Sequence, residues 1–102
     1  MTVELSDSGA AAVAQNDELV LRLPENPTTG YRWEVTQSGA GALRLIDDRF
    51  VAGAGAAPGA DGQRVIRFAA IASGAVQVAA IKRRAWEPAM PAESRNFSIE
   101  VK

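Results

Sequence analysis

Apolar side chains fall at every second position along several short stretches of this chain. Leu19, Leu21 and Leu23 share one face; Tyr31, Trp33 and Val35 share another, with Arg32, Glu34 and Thr36 opposite. The same alternation returns in Ile66, Phe68 and Ala70, in Val76, Val78 and Ala80, and in Phe97, Ile99 and Val101. A period of two is the mark of a half-buried strand, because successive strand side chains point to opposite faces. The pattern thus predicts strands over residues 19–23, 31–35, 64–70, 76–81 and 97–101. Thr2–Leu5 and residues 11–15 predict two more short strands, and the mixed pattern of 43–51 a further one. Ser6-Asp7-Ser8-Gly9, Asn16-Asp17, Ser38-Gly39-Ala40-Gly41 and Ser73-Gly74 supply turn chemistry between them. No stretch has helical periodicity. About seven to eight short strands, with turns at intervals of about ten residues, predict an antiparallel β-sandwich with Trp33 in an immunoglobulin-like core.

Composition narrows the chemistry. A length of 102 residues makes one domain, 1–102, able to bury a core without staples. Alanine is so abundant that the 47% hydrophobic content overstates that core. With no cysteine, disulfides and thiol chemistry are excluded, and with no histidine the commonest general base and metal ligand is missing. A net charge of −1 argues against bulk attraction to nucleic acid or an anionic membrane. No run approaches the length of a membrane span. Met1-Thr2-Val3-Glu4-Leu5 lacks the basic and apolar regions of a signal peptide. The expectation is a cytoplasmic protein, or a periplasmic or secreted one if a leader has been removed.

Candidate chemistry is sparse. Serine and threonine hydroxyls have no histidine to activate them, so an enzyme is not expected and no cofactor is implied. Asp47-Asp48 would place adjacent carboxylates on opposite strand faces, which reads as a solvated pair rather than catalysis. Residues 59–62, Gly59-Ala60-Asp61-Gly62, lack the Gly-Lys-Ser/Thr ending of a phosphate loop. Lys82-Arg83-Arg84 beside Trp86 has the ingredients of a single-strand nucleic-acid site, but three cations in a balanced chain read as a solvated strand end.

The connection after Leu23 is more specific. It carries Pro24, Pro27 and Gly30 and is tipped with Thr28 and Thr29 instead of charges. Proline fixes φ and biases its predecessor to extended backbone, while Gly30 permits a positive φ where the chain re-enters the sheet. Such a segment loses little entropy when a partner orders it. Trp33 is expected in the core, Tyr31 as a brace at the loop base, and Trp86 exposed in a loop before Pro88 and Pro91. In a sandwich, the loops around Thr28, Gly59 and Trp86 gather at one end.

Asn26-Pro27-Thr28-Thr29-Gly30-Tyr31-Arg32-Trp33 resembles the first signature of the chagasin family, inhibitors of papain-type cysteine peptidases. Gly59 to Gly62 and Arg84-Ala85-Trp86 are imperfect copies of the family's other two loops, in the right order. The resemblance implies reversible occlusion of the peptidase cleft by a protein that is a monomer when free. Thr28 and Thr29 would enter near the catalytic cysteine, with Asn26, Pro27 and Gly30 shaping the tip. Trp86 would pack on the primed side of the cleft, Arg84 would make polar contacts, and Gly59, Ala60, Asp61 and Gly62 would lie along the nonprimed side. Ala85 stands where the family has proline, which loosens that loop by about 0.4–1 kcal/mol. Asp61 replaces a glycine, Lys82 an often aromatic residue, and Gly53 and Gly55 offer a competing placement of the second motif. A noncatalytic immunoglobulin-like adhesion or interaction module, keeping the loop only as scaffold, is the alternative these residues leave open.

Overall fold

The alternating stripes build two four-stranded sheets packed face to face. The computed structural model describes residues 1–26, 30–52, 62–84 and 93–102. Among them are the strands β1 (Thr2–Leu5), β2 (Gly9–Val13), β3 (Glu18–Glu25), β4 (Tyr31–Gly39), β5 (Leu43–Ala52), β6 (Gly62–Ala70), β7 (Gly74–Arg84) and β8 (Glu93–Val101). One sheet has the order β1-β3-β6-β5 and the other β2-β8-β7-β4. The inward faces carry the expected stripes: Leu19, Leu21 and Leu23 are fully buried, as are Phe68, Val76 and Phe97. Trp33 joins them in the core at 3% exposure. This is an immunoglobulin-like sandwich, and with no cysteine in the chain no disulfide joins its two sheets.

Several boundaries differ from the expectation, each for a tertiary reason. The N-terminal strands pair parallel to their neighbours, β1 with β3 and β2 with β8, while the other four pairings are antiparallel. The first segment thus edges one sheet, crosses at Ser6-Asp7-Ser8 and edges the other. The second strand is 9–13 rather than 11–15, because Ala14 to Asp17 close a turn. In it the Asp17 carboxylate accepts the Ala14 N–H at 3.0 Å and Asn16 takes φ 76°. β7 does not stop before the basic run; Lys82, Arg83 and Arg84 continue it, paired with Trp33, Arg32 and Tyr31. β3 likewise runs through Pro24 to Glu25, because the β1 ladder has already ended at Leu5 opposite Leu21 and Pro24 owes it no N–H.

The registers put three connections at one end of the sandwich. In the first sheet Glu25 pairs with Gly62, and Gly62 with Ala52. In the second Tyr31 pairs with Arg84, and Lys82 with Glu93. The segments joining β3 to β4, β5 to β6 and β7 to β8 therefore all leave from this end, called here the loop end.

Candidate functional site

The loop end is built on an acid and a base where the apolar stripes run out. On β3 the inward series Leu19, Leu21, Leu23 continues to Glu25, and on β6 the series Ala70, Phe68, Ile66 continues to Arg64. Both are buried, at 3% and 8% exposure. Arg64 Nη2 donates to Glu25 Oε2 at 2.8 Å and Nε to Glu25 Oε1 at 3.3 Å. Its remaining arm, Nη1, donates to Asp48 Oδ1 at 3.3 Å. Burial works against the Arg64 charge, but the Glu25 hydrogen bonds and the charges of Glu25 and Asp48 outweigh it and raise its pKa above the ordinary arginine value. Asp48 is exposed, as expected, and also anchors Arg64. A register shift between Leu45 and Asp47 accompanies the mixed pattern of β5.

The same carboxylate joins the two sheets. Strand β4 is an edge strand, so alternate backbone N–H groups point away from β7 and need other partners. Trp33 N donates to Glu25 Oε1 at 3.0 Å, and the indole Nε1 donates to the Pro24 carbonyl at 2.8 Å. The two feet of the first loop are tied together by these bonds, one residue before Asn26 and three after Gly30. Gly30 has φ 80°, the left-handed geometry expected where the chain re-enters the sheet.

The other loop bases are equally close-packed. A Cβ on Gly62 would lie 2.4 Å from the Val51 carbonyl oxygen and 2.5 Å from the Phe50 ring, so this glycine serves a close approach inside the sandwich. The Arg84 guanidinium lies 4.3 Å from the centre of the Tyr31 ring, linking the base of the third loop to that of the first. Lys82 Nζ and the Arg95 guanidinium lie 5.8 and 5.2 Å from the Trp33 ring centre, so cations line the inner face just below the loop end. Beside it, between β4 and β5, a cleft of about 390 Å³ is lined by Arg32, Trp33, Glu34, Val35, Asp48 and Arg83.

Of the residues expected to touch a peptidase, Asn26, Gly30, Gly62 and Arg84 lie at this end, at the feet of the three connections. Pro27, Thr28, Thr29, Gly59, Ala60, Asp61, Ala85 and Trp86 lie outside the described residues, as do Gly53 and Gly55. Glu25 and Arg64 were missed by sequence reading. Their signal was there: extending each apolar stripe by one step of two reaches an acid on one strand and a base on its neighbour.

A family model described as "Chagasin family peptidase inhibitor I42" matches residues 12–101. The chain belongs to the chagasin family of peptidase inhibitors. Its fold is shared with the cysteine protease inhibitor EhICP2 of Entamoeba histolytica, at TM-score 0.86 and 23% identity over 99% of this chain and 96% of that one. Amebosin matches at TM-score 0.71 and 25% identity, with 99% and 96% of the two chains covered. PbICP-C, solved in complex with falcipain-2, matches at TM-score 0.73 and 12% identity over 99% of this chain and 98% of that one. A sequence search among curated proteins returns no match. The family is one of inhibitors, which agrees with the expectation that the chain is not an enzyme.

Proposed function

We propose that this chain inhibits papain-type cysteine peptidases reversibly, by laying the loop end of the sandwich across the substrate cleft. One observation carries the reading: the feet of all three signature loops converge at one end, with Glu25 bonded across the sheets to Trp33. In this reading Thr28 and Thr29 enter the cleft beside the catalytic cysteine, and Asn26, Pro27 and Gly30 set the shape of the tip. The flanking segments, Gly59 to Gly62 and Arg84 to Trp86, grip opposite rims. With no thiol of its own the chain forms no disulfide to its target, so inhibition is reversible by dilution. An interface of standard size buries roughly 800 Å² on each partner, with Trp86 as its hot spot.

Titration of papain with the folded protein tests this. The expected result is reversible inhibition that saturates at one inhibitor per active site. Full peptidase activity at high micromolar inhibitor would overturn the reading. Thr28→Arg should abolish inhibition without unfolding the domain, and Trp86→Ala should weaken it by about 2 kcal/mol or more.

A further inference from the structure

We propose that Glu25 is the positioning residue of the first inhibitory loop, acting through the Trp33 amide and held in place by Arg64; this rests on the inhibitory reading above. Within the described residues the carboxylate does three things at once. It ends β3 immediately before Asn26, accepts the backbone N–H of Trp33 three residues past Gly30, and receives two hydrogen bonds from a guanidinium itself anchored on Asp48. One side chain thus sets the separation of the loop's two feet and the angle at which β4 leaves them.

Stability does not explain why an ion pair occupies this place. A buried pair costs so much desolvation that apolar residues of similar volume are often neutral or stabilising replacements. Both positions continue leucine, isoleucine and phenylalanine stripes, so apolar side chains suit the surroundings. What leucine cannot supply is a directional acceptor for the Trp33 N–H. A backbone donor on an edge strand would then lose its partner at the foot of the loop, and the loop would lose its fixed entry angle. Stability and inhibitory strength should therefore separate.

The test compares Glu25→Leu/Arg64→Leu with Glu25→Gln/Arg64→Leu and the parent protein. Both double variants remove the charges; only the glutamine retains an acceptor for Trp33. In the leucine pair, the thermal midpoint should stay level or rise, Trp33 amide exchange should quicken at least tenfold, and papain inhibition should weaken by roughly tenfold or more. Core amides such as those of Val78 and Phe97 should exchange as before. The glutamine variant should recover most of the Trp33 protection and most of the inhibition. Equal inhibition by both variants and parent would overturn the proposal. So would a parent Trp33 amide that exchanges like an unbonded edge-strand amide, a result that needs no variant to fold and no peptidase. If the parent fails to inhibit papain, the functional reading falls, while Trp33 exchange still decides whether Glu25 positions the loop.

Discussion

The two ends of the sandwich are closed by different means. At the end away from the loops, short turns are tied by backbone hydrogen bonds: Asn16 N to Ala70 O at 2.8 Å, Ala70 N to Asp17 O at 2.9 Å, Ile71 N to Ala42 O at 2.8 Å and Ala40 N to Ala75 O at 3.0 Å. At the loop end, side chains take over this role, with Glu25, Arg64 and Asp48 linked in series and Arg84 stacked on Tyr31. Short turns satisfy their own backbone groups and tolerate many sequences. At the feet of the longer connections the holding groups are side chains, which specify one geometry. A surface that must match a partner needs the second kind of closure, and among the described residues the buried ionised side chains, Glu25 and Arg64, lie at the loop end.

Breaking the loop end at its centre should have the largest effect. Arg64→Ala leaves the Glu25 carboxylate buried without its counter-charge and should cost roughly 3–5 kcal/mol of stability, read from urea unfolding. Gly62→Ala comes next. Its Cβ would collide with the Val51 carbonyl and the Phe50 ring, and the strain should cost about 1–3 kcal/mol in the same measurement. Tyr31→Leu removes the ring beneath Arg84 and should cost about 0.5–1 kcal/mol. Inhibition should suffer more than stability in this last variant, because the two loop bases, still paired in the ladder, lose their side-chain contact.

The smallest effect belongs to the opposite end. Asp17 accepts the Ala14 N–H and lies 3.3 Å from the N-terminal ammonium, and these hold its pKa below the ordinary value of 3.8. A carboxylate depressed in the folded state contributes stability above that ordinary value and loses it as pH falls through the folded value. Asp17→Asn should therefore lower the thermal midpoint slightly at pH 6 and narrow its difference from the parent at pH 3. Peptidase inhibition should not change.

How legible these two ends were in the sequence follows the same division. Alternation located β3, β4, β6, β7 and β8, since period two is a local property of each strand. It did not reveal the parallel additions of β1 and β2, because pairing direction depends on where the chain has crossed between sheets. The basic run at Lys82 is a strand end, as read, but it lies within the ladder opposite Tyr31 to Trp33 and not beyond the strand. Asp48 is solvated as read, but its bond to Arg64 was not legible because the two are 16 residues apart in sequence. Glu25 was hidden by the signature it precedes. Read as the last inward position of a leucine stripe, it is the one residue that pattern would not put there.

Hydrogen-exchange footprinting of the protein bound to papain with its active-site thiol blocked by a small group tests the asymmetry most directly. Added protection should be confined to segments 26–31, 52–62 and 84–93. Protection at 14–17, 40–42 and 71–73 instead, or a bound complex with no change at the loop end, would contradict the account.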